Sequence, residues 1–337
     1  MIRGVVLGMG KIAQTGHMPA YSSESLRDII SISAAIEPNQ KSRELALRQY
    51  PEMLFYDSVE QCFAEGSPDF VDICTPPHTH SSYIEQVLRH HTNILCEKPF
   101  STDENEARML AARLSSCDRV FMGCHQYRFS PIWKEFHRFR ESMDESAPFC
   151  LQFDIYRTEA DPGLKVNSEV WRTNKQVSGG GILADTGVHY LYLCYWLLGK
   201  PSTITARMKT LLYTGSEIED TATVVFEYPN GIAEINLTWA ADRRANSARF
   251  VARDKSLYYD GSSLTKFSYD KCEEIPVPDA SDKKTYVTMY ADLFREFAHQ
   301  VQLKQKRQEW IDEAYQSVHL LETCYESSSS GKTIIVE

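Results

Sequence analysis

The stretch that decides the fold is Gly4-Val5-Val6-Leu7-Gly8-Met9-Gly10-Lys11-Ile12-Ala13, near the start of the 337-residue sequence. Its apolar run predicts a buried strand that ends at Leu7, and the residues after Gly10 predict the start of a helix. Gly8 permits the turn between them, Gly10 lets backbone N–H groups approach a pyrophosphate, and Ala13 lets helix and strand pack closely. Gly8, Met9, Gly10, Lys11 and Ile12 are therefore candidate dinucleotide-binding residues. Alone the pattern is weak evidence, because a glycine-rich turn can be only a tight connection.

The residues that follow support a dinucleotide-binding domain. Short apolar runs alternate with helical stretches, which is typical of βαβ units, and the predicted strands are 2–7, 29–36, 69–74, 93–97 and 119–124. The second strand ends at Glu37, where a carboxylate can accept hydrogen bonds from an adenosine ribose, which favours NAD. Lys41 and Arg43 could offset that charge, so NADP stays open. The alternative for Glu37 is an ordinary solvated loop acid.

After about residue 148 the pattern changes to alternating strands, predicted at 149–156, 202–212, 221–228, 232–239 and 249–251. Helices are predicted at 284–304 and 309–327, and a last strand at 332–336. The expected fold class is α/β. A Rossmann-type, doubly wound parallel sheet would occupy residues 1–125, and an α+β domain with a large, mainly antiparallel sheet would occupy 126–337. The last helix and strand could pack back on the first domain.

Composition excludes several classes of partner. The formal net charge is -10 and the sequence pI about 5.5, and no run of Lys and Arg forms a stripe for nucleic acid. No apolar segment reaches membrane-spanning length. The nine cysteines form no CxxC pair, and several lie inside apolar runs, where reduced thiols act as small hydrophobic groups. We therefore expect a soluble protein in a reducing cytoplasm.

The fourth strand runs into Cys74-Thr75-Pro76-Pro77-His78-Thr79-His80. The prolines end the strand and shape a wall beside the crevice where ligands of such sheets bind. We therefore place Thr75, Pro76 and His80 on the cofactor side. His78 and His80 could be metal ligands, but a third ligand is not evident nearby, so no metal site is predicted.

The next strand carries Asn93-Ile94-Leu95-Cys96-Glu97-Lys98-Pro99, and at this point the sequence resembles the Gfo/Idh/MocA family, named after glucose-fructose oxidoreductase and inositol dehydrogenase. The resemblance spans essentially the whole chain. It continues in Gln126-Tyr127-Arg128-Phe129, in Trp171-Arg172 and in Gly179-Gly180-Gly181-Ile182-Leu183-Ala184-Asp185-Thr186-Gly187-Val188-His189. The combination is specific, although each motif alone is not. One departure is His91, which stands where the family usually has glycine, so we expect a strained or altered helix end there.

The resemblance implies roles for particular residues. Lys98 would lie beside the nicotinamide and exchange a proton with substrate, and relatives often have a cis bond before the equivalent of Pro99. His189 would be the general acid/base, and Asp185 its partner or a substrate hydrogen-bond acceptor. If 181–198 is helical, these two side chains share one face. A surface lysine and a capped core histidine are the alternatives.

Further residues are assigned to ligands by the same resemblance. Glu97, Lys98, Gln126, Trp171 and Arg172 are predicted to bind the cofactor. Substrate would be bound by Lys98, Tyr127, Arg128, Arg172, Asp185 and His189. The three glycines from 179 to 181 would let a helix start close to the nicotinamide end of the cofactor. Packing or a surface ion pair is the alternative for Tyr127, Arg128 and Arg172, and the aromatic residues after His189 are expected to lie in the core.

The sequence thus predicts an NAD(P)-dependent oxidoreductase. It would move a hydride between nicotinamide and a secondary alcohol or ketone of a sugar, nucleotide sugar or cyclitol, and it would bind neither nucleic acid nor membrane. A homodimer or homotetramer through the C-terminal sheet is expected. Two alternatives stay open: a glycosidase or lyase of the same family that retains its NAD, and a non-catalytic dinucleotide-binding sensor.

Overall fold

The computed structural model describes residues 1–161, 171–269, 271–278 and 283–336. These residues fall into two compact units. The first contains Met1–Gln126 and Tyr286–Tyr315, and the second contains the described residues of Tyr127–Asp161, Trp171–Thr285 and Gln316–Glu337. The predicted division at residue 125 is close to the first boundary. It differs for Tyr286–Tyr315, which the prediction placed in the second domain.

The first unit is built on a parallel sheet. Its strands in the described residues are β1 (Ile2–Leu7), β2 (Ile30–Ile36), β3 (Leu54–Tyr56), β4 (Phe70–Ile73), β5 (Asn93–Cys96) and β6 (Phe121–Gly123). They lie in the order β3-β2-β1-β4-β5-β6, with parallel pairing throughout. The order reverses between β1 and β4, and ligands of such sheets bind at the carboxyl ends beside that point. The predicted doubly wound fold is confirmed.

Helices connect these strands: α1 (Met18–Tyr21), α2 (Gln40–Gln49), α3 (Val59–Glu65), α4 (His80–Leu88) and α5 (Glu104–Ser116). Side chains cap three of them, because the N-cap oxygens of Asn39, Ser58 and Asp103 each accept a hydrogen bond from the third backbone N–H of the helix. The predicted helix end near His91 is strained, with φ at 51°. The Lys98–Pro99 bond is cis, as relatives led us to expect.

Tyr286–Tyr315 belongs to the first unit because its aromatic side chains pack there. In α9 (Lys283–Leu303), Phe294 stacks on Tyr21 with ring centroids 4.3 Å apart. Phe297 meets Phe70 of β4 edge-on at 5.3 Å. Amphipathic spacing predicts which face of a helix is apolar, but it does not name the partner, so the sequence alone could not assign this segment to a unit.

The described part of the second unit contains a sheet of nine strands. They are β7 (Phe149–Tyr156), β8 (Thr203–Lys209), β9 (Thr221–Tyr228), β10 (Gly231–Thr238), β11 (Ala245–Ala252), β12 (Lys255–Tyr259), β13 (Leu264–Ser268), β14 (Lys271–Ile275) and β15 (Ile334–Ile335). The order is β14-β13-β12-β11-β7-β10-β9-β8-β15. Only the β7–β10 pairing among these is parallel, so the predicted mainly antiparallel sheet is confirmed.

Helices α6 (Pro131–Glu141), α8 (Val188–Leu198) and the second part of α10 (Gln308–Ser330) share a buried core with this sheet. The short helix α7 (Lys175–Ser178) contacts the turn Trp171–Thr173. Trp133 of α6 and Tyr190 of α8 both contact Phe153 of β7, at 5.5 Å and 5.1 Å between ring centroids. Alternate β7 residues are buried, as a strand with one covered face requires. In the described residues, no helix combines the length and apolarity needed to cross a membrane.

We expect Phe294→Ala to lower the free energy of unfolding by about 3–5 kcal/mol, because it removes a fully buried ring and leaves a cavity beside Tyr21. Phe267→Ala is the matched control, since Phe267 is 43% exposed in β13 and its loss should cost far less. Urea unfolding followed by circular dichroism measures both. Equal losses for the two variants would contradict the placement of α9 in the first unit.

Candidate functional site

The glycine turn of the first unit is shaped for a ligand. Gly8 has φ at +94°, and a Cβ there would lie 2.8 Å from a Thr75 methyl group, so only glycine fits. A Cβ at Gly10 would meet no atom of the protein nearer than the Cys74 carbonyl oxygen at 4.0 Å, so space is open beside this backbone. The chain then enters a π-helical turn, Ala13–His17, that leads into α1. This arrangement fits a pyrophosphate held by backbone N–H groups.

The Glu37 side chain is hydrogen-bonded to the backbone of the glycine turn. Its side chain is buried, and the carboxylate accepts hydrogen bonds from the backbone N–H groups of Met9 at 2.8 Å and Asn39 at 2.9 Å. The interpretation as a solvated loop acid is therefore wrong. A carboxylate has about four acceptor positions, so ribose hydroxyls can still be accepted. Arg43 donates to the Glu37 carbonyl oxygen and pairs with Asp57, which leaves it less available for a ribose phosphate.

The predicted wall after β4 is held by His80. Thr75 and Pro76 are half-buried, whereas His80 is fully buried. Its ring nitrogens lie 2.7 Å from the Pro99 carbonyl oxygen and 2.8 Å from that of Thr75. Burial lowers the pKa of His80, so the neutral ring donates to one carbonyl at a time. His80 thus acts on this wall through the Thr75 and Pro99 backbones, and His78 is exposed.

A buried charged network, which the sequence analysis missed, lies under the same sheet edge. His17 Nδ1 is 2.7 Å from Asp72 Oδ2, and His17 Nε2 is 2.9 Å from Glu97 Oε1. Tyr21 donates a hydrogen bond to Asp72, and Tyr290 donates one to Glu97. Burial alone would lower the pKa of His17, but Asp72 and Glu97 outweigh it and raise the pKa to about 9. The ring is therefore an imidazolium between two carboxylates.

This network anchors the residue predicted to move a proton. Glu97 Oε2 accepts a hydrogen bond from the Lys98 backbone N–H at 3.2 Å. Burial opposes the charge on Glu97, but His17 and the Lys98 ammonium outweigh it and lower the pKa of Glu97. Lys98 itself is half-buried. The available signal in the sequence was Asp72, a carboxylate inside the fully buried strand β4.

Two overlapping triads of this network have ligand atoms close enough for a metal ion, His17–Asp72–Cys74 and His17–Glu97–Cys124. Metal binding needs a neutral imidazole and thiolates. Here His17 is protonated, and burial raises the pKa of the Cys74 and Cys124 thiols well above the usual value. The chemistry of the triads therefore favours a hydrogen-bonded network. The absence of a metal site stays a prediction.

The Gln126 side chain has a buried oxygen to which a bound cofactor could donate a hydrogen bond. Its side chain is fully buried, and Nε2 donates to the Tyr286 hydroxyl at 3.3 Å. Among the described residues, Oε1 has no hydrogen-bond partner. A buried oxygen that accepts no hydrogen bond is unusual in a protein, and a donor on a bound ligand would satisfy it. This observation agrees with the predicted role of Gln126.

In the second unit, the glycines before α8 are required by protein neighbours. A Cβ on Gly181 would lie 1.8 Å from the Glu219 carbonyl oxygen, and one on Gly180 would lie 1.8 Å from the Tyr325 hydroxyl. The Glu219 carboxylate accepts hydrogen bonds from the N–H groups of Gly181 and Leu183, at 2.9 Å and 3.0 Å. Burial raises the pKa of Glu219. Sequence reasoning explained these glycines by the cofactor and missed Glu219.

His189, the predicted acid/base, lies at the start of α8 and is buried. Its Nδ1 is 3.0 Å from the Tyr192 hydroxyl, which also accepts the Tyr127 N–H at 3.1 Å. The Tyr127 ring stacks on the imidazole with centroids 4.3 Å apart. The structure thus brings Tyr127 and His189 together, as expected for substrate-side residues. Tyr192 packs in the core as predicted, but its hydroxyl also orients His189.

Asp185 has an ion-pair partner that the sequence analysis did not predict, and its predicted role stays a prediction. Arg172 Nε donates to Asp185 Oδ1 at 2.9 Å, and both side chains are largely buried. Residues Leu183–Gly187 form a π-helical turn instead of regular α-helix, so the shared-face argument for Asp185 and His189 does not apply. Arg172 begins, with Trp171, the short turn Trp171–Thr173, and the Trp171 side chain lies outside the described residues.

The Arg128 guanidinium packs on an aromatic ring, 5.1 Å from the centroid of Trp196 at the end of α8. This contact agrees with the packing role that was the alternative to substrate binding. Lys11 and Ile12 are half-buried in the helical turn after Gly10, where the prediction placed them. The predicted residues therefore gather at two places, one in each unit. The first is the glycine turn with the Lys98 loop, and the second is the start of α8.

Comparison with known proteins places both halves in one family. Residues 2–124 match the model for an oxidoreductase family with an NAD-binding Rossmann fold, and residues 150–258 match the model for the GFO/IDH/MocA C-terminal domain. The D-apiose dehydrogenase of Rhizobium rhizogenes is 26% identical over 69% of this chain and 64% of its own length. The scyllo-inositol 2-dehydrogenase (NADP(+)) of Bacillus subtilis is 22% identical over 68% of this chain and 67% of its own length. The chain thus matches less than two thirds of the D-apiose dehydrogenase.

A solved structure shows the same fold over its full length. The oxidoreductase from Agrobacterium radiobacter, solved in complex with NAD+, L-tartaric acid and magnesium, superposes with a TM-score of 0.85. The match covers 99% of this chain and 98% of that chain at 19% identity. At this identity the likeness supports the fold.

The His17 network predicts a pH-dependent stability. The pKa of His17 is about 9 in the folded protein against 6.5 for a free histidine, so its contribution is complete below about pH 6.5 and is lost as the pH rises through 9. The loss should be on the order of 3 kcal/mol in the free energy of unfolding. Urea unfolding at several pH values measures it. His17→Asn should abolish this slope, whereas His78→Asn, at an exposed site, should keep it. A flat wild-type profile over this range would contradict the prediction.

Gly181→Ala should lower the free energy of unfolding by about 1–3 kcal/mol or more, because its methyl group would overlap the Glu219 carbonyl. Gly215→Ala is the control, since a Cβ there would meet nothing within 4 Å and its φ lies outside the left-handed region. Thermal unfolding of the two variants provides the comparison. If both behave like the wild type, the turn before α8 is not held as described.

Proposed function

Because the chain belongs to the Gfo/Idh/MocA family of NAD-binding oxidoreductases, we propose that it transfers a hydride between nicotinamide and a secondary alcohol or ketone of a sugar, nucleotide sugar or cyclitol. The observation that carries this proposal is the buried network of His17 and Glu97, which fixes Lys98 at the carboxyl edge of the parallel sheet. Family relatives named as D-apiose and scyllo-inositol dehydrogenases support this substrate class.

Lys98 and His189 are the proposed proton-transfer groups. When the alcohol is oxidised, its carbon gives a hydride to the cofactor and its oxygen gives a proton to one of these two side chains; reduction reverses both transfers. When His189 takes the proton, the Lys98 ammonium stabilises the negative charge that develops on that oxygen; Lys98 takes the proton itself only as the neutral amine. Tyr192 and Tyr127 hold the His189 ring in place for this role. The Arg172–Asp185 ion pair supplies a donor and an acceptor for substrate hydroxyl groups.

The glycine turn, Glu37 and Gln126 are the proposed cofactor contacts, with Thr75, Pro76 and Glu97 shaping the same edge. NAD is the preferred cofactor, because Glu37 is a buried carboxylate and Arg43 is already paired with Asp57. The NAD-retaining glycosidase or lyase is distinguished from a dehydrogenase by the products that the reaction releases. It would release a leaving group from a glycoside without net NADH, whereas a dehydrogenase releases NADH with a free polyol.

Association through the second unit's sheet is a further part of the proposal. Tyr156 and Ile232 are 40% and 39% exposed on strands of that sheet, which leaves apolar area for a second copy in a homodimer or homotetramer. All nine cysteines are free thiols, in keeping with a reducing cytoplasm. Light scattering on the purified protein tests the oligomer.

The proposal is tested by a screen of inositols, aldoses and keto-sugars with NAD+ or NADH, followed by the absorbance of NADH. At least one substrate should give turnover, and Lys98→Ala should lower kcat by about 10²–10⁴-fold, because a positioned proton-transfer group is lost. Lys200→Ala, at an exposed position, should leave kcat unchanged. Undiminished turnover in Lys98→Ala would remove Lys98 from the mechanism. A wild-type protein that binds NAD and turns over nothing would favour the sensor.

A further inference from the structure

Two arginines lie side by side at one end of the second unit's sheet. β7 and β11 pair antiparallel, and their last pair is Tyr156 with Ala245. The next residues beyond this pair are Arg157, directly after β7, and Arg244, directly before β11. Like charges opposite each other on neighbouring strands destabilise a sheet. This arrangement therefore costs stability unless a negative charge offsets it.

The contacts of Arg157 do not supply that negative charge. Its side chain is buried, with 9% of the residue exposed. Nη1 donates hydrogen bonds to the carbonyl oxygens of Tyr156 and Ala245 and to the amide oxygen of Asn246, at 2.7, 3.3 and 2.7 Å. All three acceptors are neutral. Throughout the described parts of the chain, neither Arg157 nor Arg244 forms an ion pair, although a buried guanidinium normally has a counter-charge.

The surroundings of the pair belong to the candidate substrate side. Tyr127 and Tyr190 lie near Arg244, and Tyr127 is the residue that stacks on His189. Tyr190 also lies near Arg157 and meets Tyr127 edge-on. The arginines are thus linked, through two aromatic rings, to the proposed acid/base. They lie in the same unit as His189.

In the part of the chain that the structure describes, the two guanidiniums of Arg157 and Arg244 have one carboxylate acting on Arg244, that of Asp161. Asp185 cannot correct the balance, because it pairs with Arg172. Partial burial of the guanidinium lowers the pKa of Arg244, and the charge of Arg157 lowers it further, against the opposing effect of Asp161. This positive spot occurs in a chain whose formal net charge is -10.

We propose that Arg157 and Arg244 form an anion-binding subsite for the substrate, which is therefore a sugar or polyol that carries a carboxylate or a phosphate. The proposal rests on the proposed function and narrows its substrate class. Guanidinium groups bind both anions through paired N–H donors. A bound anion would also offset the repulsion between the two arginines.

The experiment compares matched neutral and anionic probes. Initial rates with NAD+ are measured for D-glucose, D-gluconate, D-glucuronate and D-glucose 6-phosphate, and binding of the same probes is measured by calorimetry. We expect the anionic probes to exceed D-glucose in kcat/KM and in affinity by about ten- to a hundredfold, the worth of a charged hydrogen bond. The carboxylate and phosphate arms show which anion is preferred.

Arg244→Gln is the main variant, because Arg244 is exposed and forms no hydrogen bond within the described ranges that its loss would break. It should remove the preference for the anionic probes and leave D-glucose unchanged. Arg243→Gln is the matched control, since Arg243 is the exposed neighbour one position earlier, and it should keep the preference. Arg157→Lys preserves the charge and should retain part of the preference, whereas Arg157→Gln should lose it.

The outcomes separate this inference from the proposed function. If no probe is oxidised but anionic probes bind the wild type and fail to bind Arg244→Gln, the subsite stands and the proposed reaction is wrong. If D-glucose is used and bound as well as the anionic probes, the subsite is wrong and the proposed reaction stands. An equal loss for neutral and anionic probes in Arg244→Gln would also overturn it.

Discussion

The first unit depends on one buried interaction, the His17 imidazolium between the carboxylates of Asp72 and Glu97. It joins the helical turn after the glycines, the middle of β4 and the loop that carries Lys98. Without the imidazolium, two buried carboxylates would lose the cation between them, which is strongly unfavourable. The turn that would hold a pyrophosphate and the lysine that would move a proton are therefore fixed by the same charges.

In the second unit, a glycine-rich turn is fixed by the same kinds of interaction as in the first unit. In each unit a glycine-rich turn leads into a π-helical turn, Ala13–His17 in one and Leu183–Gly187 in the other. In each, a buried carboxylate accepts backbone N–H groups of the turn: Glu37 from Met9, and Glu219 from Gly181 and Leu183. Turns built this way are rigid before any ligand arrives, and such preorganisation is what precise positioning of reacting groups requires.

The sequence predicted those features whose signals are local. Strand periodicity and the glycine pattern are set by neighbouring residues, and each is present in the structure. Partners far apart in sequence were missed: His17 with Asp72, Arg172 with Asp185, and α9 with the first unit. A single sequence shows which residue needs a partner, as Asp72 inside β4 does, but spacing cannot name the partner.

The two units differ in how they balance charge. Around His17 each carboxylate has a cation or a hydroxyl donor, so this network is complete without a ligand. Around Arg157 and Arg244 the described residues leave positive charge in excess, although neutral side chains at the same strand ends would avoid the repulsion. A sequence that breaks a local rule of stability at one place usually does so for function. The two arginines lie near Tyr127, whose ring stacks on His189, and the negative charge of a bound substrate would offset theirs.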